Sequence, residues 1–104
     1  MAKSHARARE LRRVLQLFAL FGHSIRVVIF QRLARAPGTA GELERMLPIS
    51  RTAIVQHLKL LESAGLVRAV ARGRRRVYCT KPEGLAPLSR WLADHSRATG
   101  ATRS

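Results

Sequence analysis

Leu11, Val14, Leu15, Phe18 and Phe21 recur at intervals of three and four, the spacing that gathers side chains on one face of an α-helix. They predict a first helix from about Ala8 to Phe21. Leu17 and Leu20 lie off that stripe and widen the apolar surface to two sides. A helix apolar on two sides has two surfaces to bury, so a contact with a second copy is expected there. Gly22 breaks the pattern. Ile25, Val28, Ile29 and Leu33 restart it as a second helix, with Ser24 as its expected cap and Ala36-Pro37-Gly38 as its end. Thr39-Ala40-Gly41-Glu42 has the spacing of a capping box and opens a short third helix carrying Leu43, Met46 and Leu47, which Pro48 stops. Ser50 caps a fourth helix from Arg51 to about Ala64, with Gly65 at its C-terminal end.

Beyond Gly65 the period changes. Leu66 to Ala71 and Arg76 to Thr80 read as short strands around Arg72-Gly73-Arg74-Arg75, a hairpin turn whose glycine can take the positive dihedral. Pro82 then starts a last helix in which Leu85, Leu88, Leu92 and His95 follow at helical spacing, with Trp91 alongside. The expected organisation is one domain over residues 8–96, a flexible basic arm at 1–7 and a disordered polar tail at 97–104.

Composition adds the sign of the charge. The 104 residues include 20 Lys and Arg against 6 Asp and Glu, a formal net charge of +14, while 46% hydrophobic content supplies a core. Self-repulsion of that size destabilises a compact chain unless a polyanion relieves it, which makes nucleic acid the leading partner. One cysteine, Cys79, excludes an intramolecular disulfide and a Cys-rich zinc site. No apolar run reaches the ~18–20 residues that span a bilayer, and the opening MAKSHARARE lacks a signal core, so no membrane role and a cytoplasmic location are expected.

The third and fourth helices, joined through Pro48-Ile49, form a helix-turn-helix. On the fourth, Ile54, Leu58 and Leu61 make an apolar stripe flanked by Ala53, His57 and Leu60, while Thr52, Val55, Gln56 and Lys59 occupy the opposite arc and Arg51 its edge. Such a helix anchors one face in the core and presents the other to the major groove. Arg51 suits guanine O6/N7, Gln56 suits adenine, Val55 can touch a thymine methyl and Lys59 a phosphate. Arg72, Arg74, Arg75 and Arg76 crowd like charges onto the hairpin, an arrangement that phosphates or a narrow minor groove relieve. A helix-turn-helix followed by a basic two-stranded hairpin is a winged helix: mainly α, with four helices, two strands and a fifth helix.

Ser50-Arg51-Thr52-Ala53-Ile54-Val55-Gln56-His57-Leu58-Lys59-Leu60-Leu61-Glu62-Ser63-Ala64-Gly65-Leu66-Val67, with Gly73-Arg74-Arg75-Arg76-Val77-Tyr78 downstream, resembles the ArsR/SmtB family of bacterial repressors. The likeness runs from about Phe18 to Leu92. It implies a homodimer built on the first and last helices, here through Leu11, Leu15, Phe18, Leu85, Leu88, Trp91 and Leu92, occupying an imperfect inverted repeat in double-stranded DNA at a bacterial promoter on the nucleoid. The family's groove-contacting positions fall at Arg51, Thr52, Val55 and Gln56, beside Ser50, and its wing at Arg72 to Arg76; Thr39 at the start of the third helix is set against the DNA backbone. The departures concern sensing. Where metal-sensing members carry Cys-x-Cys, this chain reads Ala40-Gly41-Glu42-Leu43-Glu44-Arg45-Met46, without a thiol. In the last helix Asp94 and His95 are adjacent, about 100° apart, and cannot face one ion together, and nothing fixes His5 as a further ligand. The chain resembles the metal-independent members: no metal, no cofactor, and an effector that the sequence does not name. The second helix starts His23-Ser24-Ile25-Arg26, in place of the family's Asp-Pro-Thr-Arg.

Cys79 reads as a small core hydrophobe, or as a redox thiol activated by nearby arginines, which makes a redox- or ligand-responsive derepressor the first alternative. A small basic RNA-binding protein is the second, weakened by a shortage of aromatics for stacking, with Tyr78 the one candidate. His57 reads as a packing residue, and His23 and His95 belong to no constellation. Trp91 is expected to pack in the last helix. Lys3, Arg7, Arg9, Arg12 and Arg13 form either a solvated helix face or an arm along the DNA backbone. Glu10, Glu42, Glu44, Glu62, Glu83 and Asp94 read as surface or capping acids, and no catalytic grouping is visible, so the chain is not read as an enzyme.

Overall fold

The structure, a computed structural model, describes the backbone of residues 2–103 and the side chains of residues 6–96. Its order is α1 (Ala2–Phe21), α2 (Ser24–Arg35), β1 (Gly38–Thr39), α3 (Ala40–Met46), α4 (Arg51–Ser63), β2 (Val67–Arg72), β3 (Arg75–Thr80), a 3-10 turn (Pro82–Leu85) and α5 (Ala86–Arg103). Two expectations change at the ends. α1 begins at Ala2, so backbone read as an arm is helical: Ala, Lys, Arg and Glu favour helix and nothing before Gly22 interrupts them. α5 likewise runs to Arg103 through the stretch read as a tail, because Gly100 lowers helix propensity without breaking the hydrogen-bond ladder. The side chains of Lys3 and His5 lie outside the described residues.

The caps are set by local chemistry. Thr39 Oγ1 accepts from Glu42 N at 3.2 Å while Glu42 Oε1 accepts from Thr39 N at 3.0 Å, completing the capping box of α3. Ser50 Oγ accepts from Ala53 N at 3.1 Å and starts α4. α4 closes in a Schellman motif, with Leu66 N–H donating to Leu61 O at 2.9 Å and Gly65 N–H to Glu62 O at 3.0 Å; Gly65 supplies the required positive φ of 74°. α2 departs from expectation. Its cap is His23, whose Nδ1 accepts from Ile25 N at 3.3 Å, and Ser24 is already the first helical residue.

Ile29 and Leu33 of α2, Leu43 of α3 and Ile54, Leu58 and Leu61 of α4 pack with Leu17 and Leu20 of α1 and with Leu66, Val67 and Tyr78 around the hairpin. The inward stripe of α1 is therefore Val14, Leu17 and Leu20, whereas Leu11, Leu15 and Phe18 are left exposed on its other side. Both apolar sides exist as read, but the core takes Leu17 and Leu20, read as lying off the main stripe, together with Val14 and, partly, Phe21 from it. Arg26 fastens the α1–α2 corner by donating from Nε to Leu20 O at 2.6 Å, and Arg13 donates from Nη2 to Ala64 O, tying α1 to the end of α4.

The wing carries one strand more than expected. β3 pairs antiparallel with β2 and, on its other edge, with β1 through Gly38↔Tyr78 and Thr39↔Val77, giving the order β1-β3-β2. The α2–α3 connection thus anchors the inner half of the wing. The outer half projects past the core, which is why every residue from Val70 to Arg76 is exposed.

Candidate nucleic-acid interface

α4 presents the arc that its periodicity predicts. Ile54, Leu58 and Leu61 are buried; Arg51, Thr52, Gln56 and Lys59 are exposed and Val55 is half-buried. Ser50 is exposed at the N-terminal end, its hydroxyl engaged as the cap. α4 and the wing are two walls of one cleft, lined by Arg51, Val55, Lys59, Arg74, Arg75 and Arg76 and floored by the start of α3. The sequence could not show that these walls face each other.

The wing tip concentrates charge for a geometric reason. The register sets Arg72 opposite Arg75 across the hairpin, and Gly73, with φ of 63°, closes a two-residue turn with Arg74. Like charges directly opposite in a ladder repel, and a phosphate between them relieves the repulsion. Three acids rim the cleft and each holds an arginine: Glu44 Oε1 accepts from Arg51 Nε at 3.0 Å, while Glu42 faces Arg75 and Glu62 faces Arg76, both at 3.6 Å. Among the described residues, Arg45, Lys59, Arg72 and Arg74 have no such ion pair. The Glu42 carboxyl is held below the ordinary glutamate range, first by the Thr39 backbone and hydroxyl donors and then by Arg75 and Arg32.

Several expected residues are taken up by contacts within the fold. Thr39 Oγ1 also donates to Glu42 Oε1 at 3.1 Å, so its hydroxyl is taken up within the fold and has no proton left for a phosphate. Tyr78, the aromatic read as available for stacking, is only 5% exposed and packs in the core because β3 alternates it inward. Its ring lies 5.7 Å from the Arg76 guanidinium carbon. Cys79 is half-buried on β3 and its Sγ accepts from Arg68 Nε at 3.3 Å, which raises the Arg68 pKa. Arg13, read with the basic N-terminus, is bound to Ala64 O and to Gln16 Oε1.

The histidines have neighbours that the sequence did not reveal. His57 lies 4.8 Å from the His23 ring and its Nδ1 is 3.4 Å from Arg26 Nη1; burial first, then the neighbouring His23 and Arg26, push its pKa down. His95 stacks on Trp91 at 4.1 Å, and Trp91 meets Phe18 edge-on at 5.4 Å, joining α5 to α1. Glu10 accepts from Arg90 across the same pair of helices at 2.8 Å. Along this seam Leu11, Leu15, Phe18 and Leu92 are exposed, whereas Leu85 and Leu88 are partly buried against the core and contribute less to the open surface than expected. Among the described residues no three His, Cys, Asp or Glu side chains gather as metal ligands, and no single helix is long and apolar enough to cross a membrane.

Comparison with known proteins agrees with this architecture. Residues 21–70 match the family described as a helix-turn-helix domain. The HTH-type transcriptional regulator Rv2034 of Mycobacterium tuberculosis is 52% identical over 63 residues, 61% of this chain, and the match spans 59% of that protein's length. The HTH-type transcriptional regulator YgaV of Escherichia coli is 34% identical over 70 residues, 66% of this chain and 71% of its own. The solved structure of an ArsR-like transcriptional regulator from Rhodococcus sp. RHA1 superposes with a TM-score of 0.73 at 32% identity, covering 89% of this chain and 92% of that one. On these matches, and with its own helix-turn-helix, wing and flanking helices, the chain belongs to the ArsR family of winged helix-turn-helix transcriptional regulators.

Proposed function

We propose that the chain is a sequence-specific repressor that occupies a pseudo-palindromic promoter site as a homodimer in the bacterial cytoplasm. The observation that carries this reading is the shared cleft: Arg51, Val55 and Lys59 of α4 and Arg74, Arg75 and Arg76 of the wing open onto one surface, with Thr52 and Gln56 exposed on the same helix. Arg51, Thr52, Val55 and Gln56 read base edges, and Lys59 with Arg72, Arg74, Arg75 and Arg76 holds phosphates. The exposed seam of Leu11, Leu15, Phe18 and Leu92 supports a second copy docked on α1 and α5. A two-fold axis there sets the two α4 helices in successive major grooves, about 34 Å apart. Burial of Tyr78 favours duplex DNA over single-stranded RNA, which needs exposed rings.

The test is fluorescence-anisotropy binding to the DNA upstream of the chain's own gene, beside scrambled duplex of equal length and structured RNA, each at two salt concentrations. A large excess of affinity for the native duplex, persisting at the higher salt, is expected. Equal binding to all three, collapsing together with salt, overturns the reading. Within the complex, Gln56→Ala is expected to change sequence preference while leaving the salt dependence intact.

A further inference from the structure

Arg51 is the first residue of α4, and its side chain, although 62% exposed, has a partner on α3. Nε donates to Glu44 Oε1 at 3.0 Å. On the same helix of the turn, Gly41 leaves room for the flat group: a Cβ at position 41 would stand 3.0 Å from Nη2 and 3.5 Å from Cζ. Glu44 and Gly41 are three residues apart on α3, hence on one face, and that face looks at the N-terminus of α4. The carboxylate engages one edge of the guanidinium, and the missing Cβ at Gly41 leaves the space that Nη2 and Cζ lie beside. The Nη1 and Nη2 protons remain as a fork.

Resting on the reading of Arg51 as a base contact, we infer that Glu44 and Gly41 are positioning residues that set the specificity of Arg51 for guanine. A flexible arginine can satisfy a phosphate, a guanine or a water from many rotamers, and so discriminates poorly. One held with Nε engaged offers two parallel N–H groups in a single orientation, the geometry that guanine O6 and N7 accept. Immobilisation before binding also removes an entropic cost from the specific complex. Glu44 thus acts on sequence choice without touching DNA, and Gly41 does so without a side chain.

The experiment uses the full chain and a duplex selected from a random-sequence pool, with each base pair of one half-site replaced in turn. Arg51→Ala first locates its base pair, as the position where replacement ceases to matter. At that pair, Glu44→Gln and Glu44→Asp are each expected to lower discrimination about threefold to tenfold, and Gly41→Ala similarly. The Asp variant separates position from charge, since it keeps the carboxylate but shortens its reach. Neither Glu44 change is expected to add to Arg51→Ala in a double variant. Circular dichroism checks that α3 still folds in each. If Arg51→Ala flattens one position while Glu44→Asp and Gly41→Ala leave discrimination there intact, the inference falls and the base contact stands. If Arg51→Ala weakens every duplex alike, Arg51 reads no base and both fall.

Discussion

Arg74→Ala isolates the electrostatic role of the wing. Arg74 is exposed at the tip of the hairpin, outside any ion pair among the described residues, and its backbone φ is not positive, so alanine fits without strain. No core contact is lost. A dimer carries two wings, and each arginine that neutralises a phosphate contributes about 0.9 to the slope of log affinity against log salt. The variant's slope is therefore expected to be shallower by about 1.8. Between about 50 and about 200 mM salt the unmodified protein should lose about twelvefold more affinity than the variant. The assay is anisotropy of a labelled duplex over a salt series, repeated with a scrambled duplex, and both should shift alike. An unchanged slope refutes the phosphate contact. Loss of sequence preference in Arg74→Ala, with none in Gln56→Ala, refutes the division of labour between wing and α4.

Leu15, 57% exposed on α1, is central to the uncovered apolar seam, so Leu15→Glu should yield a folded monomer by analytical ultracentrifugation; a persisting dimer would place the interface elsewhere. Leu58, fully buried under α4, should cost about 2–5 kcal/mol on Leu58→Ala in urea denaturation, and a loss below about 1 kcal/mol would mean the site collapses around the gap. His57 has its pKa depressed by burial and by the neighbouring His23 and Arg26, so the unfolded chain binds that proton more readily than the folded one. The stability this contributes is present above about pH 6.5 and is lost as the pH falls below it. His57→Gln should flatten that part of the acid decline in thermal melts, and an unaltered pH profile would show that His57 does not drive it.

Much of the fold is legible because its signals are local. Thr39 and Glu42 make a capping box, and Ser50 and Gly65 open and close α4, through atoms within a few residues of one another. Periodicity alone separates Ile54, Leu58 and Leu61 from Arg51, Thr52 and Gln56, since a regular helix fixes which side chains share a face. The charge balance, +14, names a polyanion before any geometry is known.

What only the tertiary structure decides is whatever joins residues far apart in the chain. Gly38 and Thr39 are a strand solely because β3 arrives beside them, and two residues carry no period of their own. Both stripes of α1 are apolar, and which one turns inward depends on where α2 and α4 lie. Tyr78 is buried, and His23 rather than Ser24 caps α2, for reasons of packing and side-chain direction that residue type does not encode. The pairing of Arg51 with Glu44, and the space left by Gly41, exist because the turn brings α3 against the start of α4. From sequence, each of the 20 basic side chains is an equivalent partner for each acid; in the folded chain, proximity within 4 Å selects Arg32, Arg51, Arg75, Arg76 and Arg90 for the ion pairs seen among the described residues.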